Sequence, residues 1–136
     1  MTVAVETEGR GTLTIKVTGV ASAAAGGIGA VVNPEGVNCV ILRTTFYAHV
    51  PSTGAANLSV GVGATAATSA SDILNACDVV ATTADTMWNG HAMQNTAKTQ
   101  ITAPALWQAG YYITFSGSAS TVGLEGYLFV EYVRAV

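Results

Sequence analysis

Hydrophobic and polar positions alternate along much of this chain with a period of two. Residues 12–18 set Leu13, Ile15 and Val17 against Thr12, Thr14, Lys16 and Thr18. Residues 57–64 set Leu58, Val60 and Val62 against Ser59, Gly61 and Gly63. Successive side chains of a strand point to opposite faces, so each stretch predicts a strand with one buried face. The outward glycines of the second stretch predict a bulge or the close approach of another chain. Residues 37–50 form the longest strand candidate. Val40, Leu42, Thr44, Phe46, Ala48 and Val50 make its apolar face, and Cys39, Ile41, Arg43, Thr45, Tyr47 and His49 a mixed one.

The strongest pattern comes last. Residues 111–116 and 124–133 are rich in aromatic and β-branched side chains, and the run between them has Gly117 and Gly123 at its ends. This predicts a β-hairpin with a long loop. Its second arm is apolar on both faces: Leu124, Leu128, Val130 and Tyr132 on one, Tyr127, Phe129 and Val133 on the other. A strand of that kind is covered on both sides. One face is expected in the core and the other against a second subunit.

Weaker signals fill the rest. The Gly- and Ala-rich residues 19–36 read as extended, with a short strand near 28–32 and a turn at Asn33-Pro34-Glu35-Gly36. Ser71 followed by Asp72 predicts one or two helical turns over 71–77. Short strands are expected at 78–82 and 97–101, and a turn at Asn89-Gly90. The tally is about eight short strands at intervals of roughly ten residues. It predicts one all-β domain over 1–136, an antiparallel β-sandwich or jelly roll, with residues 1–10 as a short strand or N-terminal arm. The expected core is Leu13, Ile15, Val17, Val40, Leu42, Phe46, Leu58, Val60, Val62, Ile113, Phe115, Leu128 and Val130.

Composition sharpens the picture. Only 10% of the residues are charged, against roughly 25% in ordinary soluble domains. Thr, Ser, Ala and Gly must therefore supply surface as well as core, which suits faces that lie against other subunits. The net charge of −3 without a basic cluster argues against nucleic acid as partner. No apolar run approaches the ~20 residues of a helical membrane span. The start, Met1 to Glu8, is acidic and lacks the basic and apolar regions of a secretory signal. Cytoplasmic synthesis is the expectation, and with it free thiols at Cys39 and Cys77.

Candidate chemistry is sparse. Cys39, Cys77, His49 and His91 match no metal-ligand spacing, and no nucleophile motif accompanies them. Asp72, Asp78 and Asp85 lack calcium-loop spacing. The stretch Gly26-Gly27-Ile28-Gly29 lacks the Lys-Ser/Thr ending of a phosphate loop. Trp88, Trp107 and Tyr111 suit core or interface anchoring better than a sugar-stacking platform. No enzyme activity and no cofactor or metal is expected.

The segments Val32-Asn-Pro-Glu-Gly36, Asn57-Leu-Ser-Val-Gly-Val-Gly63, the turn at 69–76 before Asp78, and Gly123-Leu-Glu-Gly-Tyr-Leu-Phe-Val-Glu-Tyr132 together resemble small head decoration (cement) proteins of tailed bacteriophages. The likeness covers roughly residues 30–133 and rests on order and texture. It implies a structural role on the outside of a virion, assembled in the host cytoplasm. The implied partners are further copies of the chain, as dimer or trimer, and the major capsid protein shell, without nucleic acid or membrane. Val3, Val5, Tyr127, Phe129 and Val133 are the expected interface residues. The competing reading is a glycan- or receptor-binding module of a fibre or head appendage.

Overall fold

The computed structural model describes residues 10–21, 28–79, 86–89 and 105–135. Nine strands are formed among them: β1 (Arg10–Thr18), β2 (Gly29–Val32), β3 (Cys39–Val50), β4 (Asn57–Gly63), β5 (Leu74–Asp78), β6 (Thr86–Asn89), β7 (Ala105–Trp107), β8 (Tyr112–Gly117) and β9 (Glu125–Arg134). No helix occurs among the described residues. The expected strand at 97–101 lies outside them, as do Gly90 of the expected turn and residues 1–9 of the expected arm.

Every ladder is antiparallel. One sheet runs β1-β9-β3-β6, with β7 also on β3, and the other runs β2-β8-β4-β5. Strands β6 and β7 lie end to end along the edge of β3 that β9 leaves open, at Thr45–Ala48 and Cys39–Ile41 respectively. They share one position, so nine strands fill eight places. The pairings β1/β9, β2/β8, β3 with β6 and β7, and β4/β5 nest inside one another. A single long hairpin with its tip between β4 and β5 is thus wound into two sheets, which is the order of a jelly roll. The all-β sandwich expected from the alternation is what forms.

The core lies between the sheets. Phe46, Leu58, Val60, Leu74, Trp107, Ile113, Leu124 and Leu128 are wholly buried. Leu13, Ile15 and Val62 pack against this cluster but remain partly exposed. The Asn33-Pro34 turn forms as expected: the Glu35 amide donates to the Asn33 side-chain oxygen at 2.9 Å, and Gly36 takes a φ of 69°.

Four sequence expectations need correction. The first is the final hairpin. Strands β8 and β9 belong to different sheets, and each is paired along both edges, β8 by β2 and β4, β9 by β1 and β3. Neither has an edge left for the other, so residues 118–124 arch from sheet to sheet. Thr121 seals the arch, wholly buried; its amide donates to the Val20 carbonyl at 3.0 Å and its hydroxyl accepts from the Val20 amide at 3.1 Å.

The second concerns β3. Ile41 pairs with Tyr132 and Arg43 with Glu131, so Leu42 is an extra residue in the ladder. Such a bulge reverses the alternation. Cys39 and Ile41 are therefore buried, Val40 is only half-buried and Leu42 is exposed. Beyond the bulge Thr44, Phe46 and Ala48 point inward as expected, while Val50 is exposed.

The third is the helical turn at 71–77. It is β5 instead, and its approach is held by the Val62 amide donating to the Asp72 carboxylate at 2.8 Å and the Ile73 amide to the Val60 carbonyl at 2.9 Å. These bonds to β4 replace the ones a helix would have made internally.

The fourth is the partner of the outward glycines. The approaching chain is the protein's own loop. A Cβ on Gly61 would sit 2.6 Å from the Ala70 backbone, and one on Gly63 2.5 Å from the Thr68 side chain. The loop between β4 and β5 therefore lies across the outer face of its sheet. Beneath it Thr114 and Ser116 are buried, and Ser69 donates to the Ser116 hydroxyl at 3.1 Å.

Replacing the wholly buried Phe46 with Ala should cost about 3–5 kcal/mol in urea unfolding. Leu42→Ala, on the bulge, should cost less than about 1 kcal/mol; equal losses for the two would contradict the bulge. Cys39 and Cys77 are buried and form no disulfide. Thiol titration in denaturant without reductant should find two reactive thiols, and in native buffer both should react slowly.

Candidate interaction face

The two outer faces of the sandwich differ. The face of β4 and β8 is closed by the chain's own loop. The outer face of the other sheet has no such cover among the described residues. The antiparallel registers decide what it displays, because directly opposed residues share a face. Tyr127 lies opposite Lys16 and Tyr47, Phe129 opposite Thr14 and Thr45, Glu131 opposite Thr12 and Arg43, and Val133 opposite Arg10 and Val40. Met87 of β6 continues the Tyr47 row, and Leu106 of β7 the Val40 row.

The result is an aromatic band across two strands, β3 and β9. The rings of Tyr127 and Phe129 stack with centroids 6.4 Å apart and planes 23° apart. Tyr47 stands 6.4 Å from Tyr127, and His49 meets Tyr47 edge-on at 6.1 Å. Apolar side chains flank the band. Met87 is 65% exposed, Leu106 48% and Phe129 42%. Besides Lys16 beside Tyr127, the face carries one charged cluster, where the Glu131 carboxylate meets Arg43 at 3.1 Å and Arg10 at 3.8 Å. Both guanidinium groups are largely exposed, so these pairs add little stability. Between cluster and band lies a shallow hollow of about 460 Å³, lined by Thr12, Thr14, Arg43, Thr45, Met87, Phe129 and Glu131.

Of the expected interface residues, Tyr127, Phe129 and Val133 all stand on this face, and Val3 and Val5 lie outside the described residues. Tyr47, Met87 and Leu106 were not anticipated. Tyr47 was legible in the alternation of β3. Met87 and Leu106 were not, because nothing in the sequence marks the short strands β6 and β7 as neighbours of β3.

Behind the face a partly buried polar node ties the β2–β3 turn to β7 and β9. The Asn33 amide donates to the carbonyls of Val37 at 2.8 Å and Trp107 at 2.9 Å. The Tyr132 hydroxyl donates to Glu35 at 2.7 Å. Burial, reinforced by that bond, pushes the Tyr132 phenol up to about 12. Burial also pushes the Cys39 thiol up, against a smaller opposing effect of its Asn33 contact. A protonated, enclosed thiol is a poor nucleophile and a poor metal ligand. Trp107 is wholly buried, edge-on to Tyr132 at 6.1 Å, with its indole N–H donating to the Tyr111 carbonyl at 3.0 Å. It has no face free for a sugar; the Trp88 side chain lies outside the described residues.

Cys39 and His49 stand ten residues apart on β3, roughly 33 Å at 3.3 Å per residue, too far to share an ion. His91 and Asp85 lie outside the described residues, and Asp72 is engaged by Val62. Among the described residues no group of three or more His, Cys, Asp or Glu is placed to hold a metal ion. None of the described helices is long and apolar enough to cross a membrane, there being none. No family model, curated protein or solved structure matches the chain.

Tyr132 makes an alkaline prediction. Its phenol is held neutral in the fold to a higher pH than in the unfolded chain, where it ionises near 10. Its contribution is therefore complete below about pH 10 and is lost as pH rises towards 12. Urea midpoints should fall across that window. In Tyr132→Phe the fall should flatten, and absorbance titration should lose its latest phenolate step.

Proposed function

We propose that this is a non-catalytic structural protein of a phage virion, which decorates the capsid exterior and stabilises it by bridging major capsid protein subunits. The observation that carries this reading is the asymmetry of the outer faces: one is sealed by the chain's own loop, the other is an aromatic and apolar band with no such cover among the described residues. An apolar band of this kind on a β-sandwich is a docking surface in physical terms, since contact with another protein removes its rings from water. The Thr-rich flank costs little to desolvate compared with Lys or Glu. A contact of modest strength repeated over a shell gives high total affinity. The likeness in sequence order to head decoration proteins supplies the kind of partner, and the virion exterior as the place. Assembly would take place in the host cytoplasm.

A second reading is supported by the hollow beside Phe129. An exposed ring next to Thr hydroxyls and the Arg43–Glu131 pair offers a sugar both a stacking surface and hydrogen-bond partners. In that case the protein is a glycan- or receptor-binding module.

Phe129→Glu separates the protein from its partner without unfolding it. The ring is already 42% exposed in the single chain, so the urea midpoint should change little. A carboxylate pressed unpaired into a protein interface is costly, so co-sedimentation with expanded capsids of the phage should weaken at least tenfold. If the wild type fails to sediment with such capsids and instead binds immobilised glycans, the second reading replaces the first.

A further inference from the structure

The four edges of the two sheets are not alike. An exposed regular edge strand invites pairing with another chain, and proteins usually blunt it. The β6/β7 edge is broken into two pieces of 4 and 3 residues. The β5 edge has a shifted register against β4 and a residue with positive φ, Ala76 at 53°. Strand β2 has 4 residues. Strand β1 has none of these backbone interruptions, and its two charges, Arg10 and Lys16, are exposed near its ends. It has 9 residues, pairs with β9 in one unbroken register, contains no proline, and has no second strand partner among the described residues. Along it Leu13 and Ile15 point inward yet remain partly exposed. A groove of about 280 Å³ opens between β1 and β2, lined in part by Ile15, Val17, Ile28 and Phe115.

We infer that β1 is a self-pairing edge: two copies of the chain join β1 to β1, antiparallel about a two-fold axis at Thr14, into one continuous sheet. The sequence of the strand selects the occupant and the register. Centred on Thr14, all nine residues pair, with Arg10 opposite Thr18 of the second copy and Lys16 opposite Thr12 of the second copy. Centred one residue earlier, Arg10 would oppose Lys16, two like charges. Centred one residue later, Arg10 loses its partner and the ladder shortens. The inward side matches as well, because Leu13 then meets Ile15 of the second copy and Ile15 meets Leu13. The two side chains that the single sandwich leaves half-covered become cross-strand apolar pairs at the seam. A two-fold contact of one strand with itself is the simplest closed symmetry, and it ends the edge instead of propagating it. It also sets the aromatic bands of the two copies side by side on one broad face.

Single cysteines read the register. Directly opposed residues in antiparallel strands have Cα atoms about 4.5–5.5 Å apart, within disulfide range. Thr14→Cys should therefore cross-link to itself under mild oxidation and double the mass of the chain. Thr12→Cys, four positions from its own copy and roughly 14 Å away, should cross-link at least tenfold more slowly. Mixing Thr12→Cys with Lys16→Cys should restore the cross-link. Thr12, Thr14 and Lys16 are exposed, and Cys39 and Cys77 are buried, so folding and background are little affected. In sedimentation the wild type should be a dimer at 100 micromolar order of concentration, and Thr14→Lys, with a charge facing itself on the axis, a monomer. Equal cross-linking of Thr14→Cys and Thr12→Cys, no cross-link at Thr14→Cys, or a monomeric wild type would each overturn the inference. The test is independent of what the aromatic face binds: Phe129→Glu should leave the Thr14→Cys cross-link intact even where it abolishes capsid binding.

Discussion

The pairing of β9 with β3 decides more of this structure than any other contact. It joins the long strand to the one strand whose both faces are apolar, and it fixes which face turns inward. With Phe46 opposite Leu128 and Thr44 opposite Val130, those side chains fill the core, while Tyr47, Tyr127 and Phe129 are left outside. A slip of one residue would exchange the two sets. The ladder shifts register twice, at Leu42 and again between Ala48 and Val50, and the shift at Leu42 lets Cys39 and Ile41 pack inward at the far end of the same strand. The polar node of Asn33, Glu35 and Tyr132 sits at this end and ties down the turn that delivers β3 to its place.

The same register gives the molecule its two-sided character. A sandwich must bury its inner faces, but nothing obliges it to treat its outer faces alike. Here Gly61 and Gly63 allow a loop to lie flat on one of them, where any side chain would hold it off. The other carries rings instead of glycines and has no such cover among the described residues. The presence and the lack of a covering loop are thus divided between the two sheets by a few residues in β4 and β9.

Much of this was legible in the sequence. The period of two in β1, β4 and β9 is strict, and those strands turn the expected faces inward. The turn at Asn33-Pro34-Glu35-Gly36 and the two-faced nature of β9 were equally plain. The errors share one physical cause, which is that pairing partners are not written locally. An aromatic strand, a glycine-bounded loop and a second aromatic strand look alike whether the loop turns back within a sheet or arches to another. The bulge at Leu42 is an extra residue only relative to β9, some 90 positions away. Ser71 and Asp72 resemble a helix start until β4 takes up the hydrogen bonds of Asp72 and Ile73. The candidate face was half visible for the same reason: Tyr127, Phe129 and Val133 lie on one strand, whereas Met87 and Leu106 join them only through the fold.

The nesting of the ladders has a consequence for how the protein is made. Of the nine strands, β9 is the last to leave the ribosome, yet among the described residues it is the only link between β1 and β3. Until it emerges, β1 waits for the neighbour it pairs with, more than a hundred residues behind it. Closing so distant a contact is slow, and the waiting strand is the longest edge among the described ones. Newly made chains in a crowded cell are therefore exposed to one another before each has completed its own sheet, and a high rate of synthesis should favour entanglement over folding.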